Sequence, residues 1–444
     1  MDEQFKVKRK ITSAQIIILG FSAVILMGAM LLMLPISSQS GQFTPFREAL
    51  FTSTSAVCVT GLVVQNTATY WSGFGQVIIL LLIQIGGLGV VTAGATIVIL
   101  SGKRISLMQR STMQEAIAAP RMGGIVRLTS FIVKCTLIIE LIGAVMMLPV
   151  FWEDFGLKGI WMAAFHSISA FCNAGFDLLG IRGEYSSLTS YWDNPVINLT
   201  IMMLIVVGGI GFFTWEDIRT NRWHWRHYRM QTKMILSTTL ILLVVPTIYF
   251  FFNEYRDLPV GQRLLASAFQ AVTPRTAGFN TTDLTLMAEA GQFVILALML
   301  IGGSPGSTAG GMKTTTAAVL ATSALSVFRR EENAHLFGRR IDNSAVKQAA
   351  TIFLMYIVLF FTGALIISVS EGLPMAVCLF ETGSAIGTVG LSLGLTPELG
   401  VLSHMVLIFL MFFGRVGGLT LIFATLSETN KAAARLPQEK ITVG

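Results

Sequence analysis

The chain has 444 residues, of which 53% are hydrophobic and only 12% charged, with a formal net charge of +7. A charged fraction about half that of soluble domains excludes an ordinary water-soluble fold, and recurring apolar runs of spanning length read as an all-α polytopic membrane protein. The positive excess gathers in a few loops beside those runs, so topology accounts for it and no nucleic-acid partner is implied.

A bilayer core takes about 20 apolar residues per helix. Eight spans are predicted in chain order, near 11–35, 75–100, 125–150, 196–214, 233–252, 291–328 with an interruption, 347–369 and 400–424. The first follows the basic "KVKRK" but is long and lacks a cleavage site, so it reads as a span rather than a removed signal. Cys58, Cys135, Cys172 and Cys378 are scattered without CxxC spacing and read as free thiols. The acceptor pattern Asn198-Leu199-Thr200 opens a span and reads as chance.

Lysine and arginine set the orientation. They precede the first span (Lys6, Lys8, Arg9, Lys10), then fill alternate loops: Lys103, Arg104, Arg110, Arg121 and Arg127; Arg219, Arg222, Arg226, Arg229 and Lys233; Arg329, Arg330, Arg339, Arg340 and Lys347. Lys431, Arg435 and Lys440 follow in the tail. The positive-inside rule makes both termini and these loops cytoplasmic. One such loop, "RWHWRHYR" from Arg222 to Arg229, suits anchoring at the interface, with docking of a cytosolic partner as the second reading.

The four outer segments, 35–75, 150–195, 252–291 and 370–400, each keep an apolar patch that plain external loops would not. Aligned, they read "EALFTSTSAVCVTGL", "MAAFHSISAFCNAGF", "ASAFQAVTPRTAGF" and "VCLFETGSAIGTVGL". An aromatic residue, a small hydroxylated stretch and a glycine recur, and Gly61, Gly175, Gly278 and Gly390 lie 114, 103 and 112 residues apart. Glycines recur downstream at Gly86-Gly87, Gly208-Gly209, Gly302-Gly303 and Gly414. The chain is therefore one transmembrane domain of four tandem repeats, each a helix, a re-entrant pore helix and a helix. The repeats are placed at about 11–110, 111–230, 231–340 and 341–430, with a tail at 431–444, in pseudo-fourfold arrangement around one pore.

Irregular backbone at membrane depth survives only where protein or a water-filled path satisfies it. Four converging turns would line such a path with carbonyl oxygens able to replace the hydration shell of a cation, with glycine permitting the backbone angles. The candidate filter residues are Val59, Thr60 and Gly61; Asn173, Ala174 and Gly175; Thr276, Ala277 and Gly278; and Thr388, Val389 and Gly390. Arg275 should turn its side chain away from that path. Asp177 and Asp283, just beyond two of the glycines, could concentrate cations at the mouth or be ordinary solvated acids, the second reading being preferred for Asp283.

In the third repeat "GGSPGSTAGGMKTTT", 302–316, cannot hold a regular helix, so the span breaks in mid-membrane as ion sites and gates do. Arg415, in "FFGRVGGLT", sits inside the last span. A charge at that depth is functional by default; about 8 Å from a cation it would repel it by roughly 2 kcal/mol at an effective dielectric near 20. The alternative is a structural arginine paired with a carboxylate such as Glu140.

"TSAVCVTGL", "HSISAFCNAGFD", "TPRTAGFNT", "GSPGSTAGGMKT" and "GTVGLS" resemble characteristic segments of the potassium transporter superfamily that contains bacterial KtrB and TrkH, fungal Trk and the plant high-affinity transporters. With about a dozen residues before the first span, the chain looks most like the KtrB branch. The resemblance implies a bacterial plasma-membrane subunit that takes up potassium, forms a homodimer with one pore per subunit, and rests on a cytosolic KtrA-type ring of nucleotide-binding regulatory subunits. It implies that Gly61, Gly175, Gly278 and Gly390 are the filter glycines, and that glycine at position 61 favours potassium, since plant relatives with serine there carry sodium. Thr-Val-Gly stands only in the fourth repeat. The resemblance also makes Gly306, Ser307, Thr308, Gly310 and Gly311 an intramembrane gating loop with Arg415 below the filter. Lys313 closes that loop and either joins the gate or marks the cytoplasmic boundary.

An enzyme is excluded: His166, His224, His227, His335 and His404 are dispersed, and no HExxH or nucleophile motif occurs. Repeats that all face one way favour a pore over inverted-repeat transport. No covalently bound cofactor is expected; potassium is cargo. Sodium as stimulator or coupled ion remains the alternative, as does a symporter coupling potassium to sodium or proton entry.

Overall fold

One three-part unit of outer helix, pore helix and inner helix occurs four times. The computed structural model describes residues 12–101, 105–117, 123–222, 224–425 and 439. Lys6, Lys8, Arg9, Lys10, Lys103, Arg104, Arg121, Lys431, Arg435 and Lys440, and the tail 431–444 apart from position 439, lie outside these residues.

Among the described residues, four helices are long and apolar enough to cross a membrane: Ser13–Leu32, Ile125–Phe155, Met230–Asn253 and Asn343–Glu371. They are the outer helices of the four quarters. Local chemistry sets their ends. Thr12 and Gln15 satisfy each other's backbone amides in a capping box at the first, and Gly372 in the left-handed region stops the last. Leu137, Ile138, Leu141 and Val145 remain exposed on the second outer helix, a surface suited to lipid.

The pore helices are Phe46–Val57, Lys158–Phe171, Val260–Val272 and Met375–Gly387. Their 12 to 14 residues reach only about 20 Å at 1.5 Å per residue, short of the ~30 Å core, so the chain must turn back inside. Pro45, Pro259 and Pro374 stand at the N-cap of three of them, where the missing backbone N–H costs no helical hydrogen bond. Phe51, Phe165, Phe269 and Phe380 are buried at matching positions.

The inner helices depart from the predicted straight runs at 75–100 and 196–214. Gly73–Leu88 and Val90–Ile99 meet at 96°, and Pro195–Gly209 and Phe212–Asn221 at 92°. Gly89 and Gly211, at φ 85 and 93, take backbone angles that other residues rarely adopt, which makes the corner. Gly417, at φ 91, likewise separates Val401–Val416 from Gly418–Thr425. In the third quarter Glu289–Met299 and Thr314–Phe328 are separated by the irregular segment expected there.

Packing between quarters closes a ring. Each inner helix contacts the pore helix of the following quarter, and the fourth returns to the first. Gln76, Asn198, Gln292 and His404 stand ten residues before Gly86, Gly208, Gly302 and Gly414. Each turns a side-chain nitrogen to carbonyls of the loop just before its own helix, for example Asn198 Nδ2 to Tyr191 O at 2.7 Å and His404 Nε2 to Thr396 O at 2.8 Å. Asn198 is thus buried and committed, so the acceptor pattern around it is chance, as expected. The four cysteines are free thiols.

Candidate functional site

The four glycine turns meet one another. A methyl group on Gly61 would fall 2.5 Å from Ala174 O, one on Gly175 2.6 Å from Ala277 O, one on Gly278 2.3 Å from Val389 O, and one on Gly390 2.1 Å from Thr60 O. These are contacts between successive quarters, and the last closes the circle. The backbone path is also shared: Val59, Asn173, Thr276 and Thr388 have φ between 51 and 61, and the glycines two residues later have φ between 68 and 93. All twelve filter candidates therefore lie in one ring.

Hydroxyls that sequence reading did not single out hold this shape. The backbone amides of Thr60, Ala174 and Val389 donate to Ser55 O, Ser169 O and Ser384 O at 2.8 Å, and Ala277 donates to Thr273 O at 3.0 Å. Ser55 Oγ and Ser384 Oγ also accept from the Gly61 and Gly390 amides at 3.0 Å, while Ser169 Oγ donates to Phe176 O at 2.7 Å and Thr273 Oγ1 to Phe279 O. The amides are thus spent on the pore helices and the carbonyls stay available. The signal was a hydroxyl six residues before the glycine in three quarters and five in the third.

Above the ring lies a mouth of about 130 Å³ to which all four glycines contribute, along with Asn66, Asp177, Asn280 and Ser392. Burial pushes the Asp177 carboxyl up to about 6, against the pull of the backbone amides of Leu179 and Gly180. Asp283 instead accepts from the Thr285 amide and hydroxyl at 2.9 and 2.7 Å, away from the mouth. Arg275 is buried and does not line the mouth.

The broken inner helix runs directly below the ring. Gly302 N donates to Met312 O at 2.7 Å and Thr314 N to Gly303 O at 2.9 Å, closing the segment at its base. The Thr308 hydroxyl lies 2.9 Å from Asn173 Oδ1 and 3.1 Å from Phe171 O. A methyl on Gly310 would fall 2.1 Å from Thr388 Oγ1, and one on Gly302 3.2 Å from Thr276 Cγ2. Gly311 N donates to Gly414 O at 3.1 Å, and Gly306 O accepts from Phe212 N at 2.7 Å. The segment touches three of the four filter turns and two other inner helices.

Arg415 joins that assembly. Its guanidinium donates to Thr308 O, to Gly86 O and, at 3.1 Å, to Gly87 O. These carbonyl partners replace the carboxylate considered from sequence: Glu140 Oε2 instead accepts from Gln84 Nε2 at 3.3 Å. Lys313 Nζ donates to Ala309 O at 2.8 Å and Gly310 O at 3.3 Å, so it folds back on the segment it ends. Arg415, Lys313, Ser307, Tyr356 and Glu115 border a cavity of about 350 Å³ beneath.

On the basic side, Trp225 packs at 6.3 Å from Phe337, in the turn of a hairpin pairing His335–Leu336 with Arg339–Arg340. Arg226, Lys233 and Arg339 surround a cavity of about 420 Å³ there. Among the described residues, no three His, Cys, Asp or Glu side chains converge as metal ligands would.

A family model described as TrkH, cation transport protein, matches residues 3–434. The potassium/sodium uptake protein NtpJ of Enterococcus hirae is 40% identical, covering 99% of each chain. The Ktr system potassium uptake protein B of Bacillus subtilis is 38% identical, covering 98% of this chain and 97% of its own. In three dimensions the fold matches the potassium transporter TrkH of Vibrio parahaemolyticus with a TM-score of 0.74 at 19% identity, over 96% of this chain and 87% of that one.

Proposed function

Because the chain belongs to the TrkH family of cation transport proteins, we propose that it takes up potassium across a bacterial plasma membrane as a channel-like subunit. The observation that carries this reading is the closed circle in which each filter glycine abuts a carbonyl of the next quarter. A dehydrated monovalent cation needs several oxygens at once, and backbone carbonyls fixed by a packed scaffold replace water without needing to rearrange. The residues from Val59 to Gly61, Asn173 to Gly175, Thr276 to Gly278 and Thr388 to Gly390 supply those carbonyls. The buried hydroxyls of Thr276 and Thr388, which have no hydrogen-bond partner among the described residues, add oxygens at the inner end.

Gly306 to Gly311 act as the gate. They lie across the path under two filter turns, at Asn173 and Thr388, tied down by Thr308 and Arg415. Lys313 supports the segment's base. Arg415 serves as both latch and electrostatic barrier, since carbonyls leave its charge uncompensated. The subunit forms a homodimer, and its basic cytoplasmic face around Arg226 and Arg339 receives a KtrA-type regulatory ring. Both termini are cytoplasmic.

The name of the 40%-identical relative, a potassium/sodium uptake protein, favours a second reading in which sodium stimulates or accompanies potassium entry. Gly61→Ser tests the filter in reconstituted vesicles with potassium and sodium uptake measured separately. Preference for potassium falls; an unchanged ratio refutes the filter. A sodium gradient alone separates the two readings, because only coupling lets it drive potassium uphill.

A further inference from the structure

The residue directly after each buried pore-helix phenylalanine is polar and differs in every quarter: Thr52, His166, Gln270 and Glu381. All four side chains are buried. They sit behind the ring, and three of them reach over it to the strand that leaves the filter.

Glu381 makes the fullest connection. Its Oε1 accepts from the Ser392 hydroxyl and, at 3.2 Å, from the Leu393 amide; its Oε2 accepts from Thr396 Oγ1 at 2.7 Å. His166 Nδ1 lies 2.7 Å from Met162 O, which fixes the proton there and leaves Nε2 to accept from the Leu178 amide at 3.3 Å. Leu178 and Leu393 each follow their filter glycine by three residues. Gln270 Oε1 accepts from Thr282 Oγ1 at 3.4 Å, and the Thr52 hydroxyl has no hydrogen-bond partner among the described residues. The order from Glu381 through His166 and Gln270 to Thr52 is an order of decreasing restraint on four otherwise matching turns.

We propose that these four residues are positioning residues for ion selection, and that Glu381 is the strongest, clamping Ser392, Leu393 and Thr396 so that the fourth turn keeps its carbonyls at a fixed radius. The inference rests on the filter reading above. Its physical basis is that a ring distinguishes ions of one charge and different size only while its supporting shell resists contraction. Burying a carboxylate without a cation partner is costly, and three donors from one short strand offset that cost only in this arrangement.

The test measures potassium and sodium uptake by the full-length protein in vesicles for Glu381→Ala, Glu381→Gln, Thr396→Val and Gly61→Ser, with thermal unfolding followed in detergent. Glu371→Gln is the control, since that carboxylate binds the Gly400 amide and the Ser403 hydroxyl instead of the filter strand. We expect Glu381→Ala to lower the potassium-to-sodium ratio about tenfold, with Glu381→Gln recovering most of it and Glu371→Gln leaving it unchanged. If Gly61→Ser shifts the ratio and Glu381→Ala does not, or if Glu381→Ala slows both ions equally while lowering thermal stability, the proposal is wrong and the filter stands. If neither variant shifts it, the filter reading fails first. Should Glu381→Ala not fold, Thr396→Val decides, since it removes one donor to the carboxylate: a lowered ratio supports the clamp, and a wild-type ratio overturns it.

Discussion

The glycine ring and the layer immediately below it are built from the same four repeats, yet only the ring is symmetric. In the ring, each quarter places a left-handed residue, then a glycine, against the carbonyl of its neighbour. Below, the first, second and fourth inner helices are interrupted at Gly89, Gly211 and Gly417, while the third dissolves into the segment that crosses underneath. Arg415 sharpens the difference, because it stands where the first two quarters have the second glycine of a pair, Gly87 and Gly209. On the proposed function, coordination of one central ion asks for four equivalent sides, whereas a gate asks only for one side that differs and two places to fasten it, here Asn173 and Arg415.

The comparison breaks most severely if the ring loses an edge. Gly390→Ala places a methyl 2.1 Å from Thr60 O at a φ of 93, and uptake of a potassium tracer should fall at least about a hundredfold, since backbone on both sides leaves nothing to yield. Retention of most activity would show that the contact is not on the ion path. Removing 306–311 should act oppositely, raising flux roughly tenfold with the potassium-to-sodium ratio preserved, because an obstruction lost from a population of closed states changes occupancy and not coordination. A fall in flux would assign the segment to the filter's support. The smallest effect concerns the mouth. With its carboxyl at about 6, Asp177 is ionised at neutral pH and protonated in acid, so the potassium concentration for half-maximal uptake should rise roughly threefold as pH drops from 7 to 5. Asp177→Asn should show the raised value at both pH values; a persistent pH dependence in that variant would place the titrating group elsewhere.

Much of this was readable before any coordinates. A period of about a quarter of the chain, with phenylalanine and glycine in register, sufficed to place Gly61, Gly175, Gly278 and Gly390 together, because four parallel copies of a short re-entrant helix have few other ways to satisfy their backbone. The break at 302–316 was equally plain, since glycine and proline act locally. The right-angle bends were not. The glycines at 89 and 211 lie in unbroken apolar runs, and whether such a glycine stays helical depends on what the next turn packs against. Arg415's partners are hidden for a related reason: main-chain carbonyls carry no residue-type signature, whereas Glu140 offers a visible carboxylate. The hydroxyls of Ser55, Ser169, Thr273 and Ser384 were seen as composition, but their role emerges only once each pore helix and its turn share a hydrogen bond.

In the proposed conduit all four walls are encoded in tandem on a single polypeptide. In an assembly of identical subunits one substitution is stamped on every wall at once, whereas here it alters a single wall, so selection can adjust ion preference in small steps and spare three walls while it experiments with the fourth.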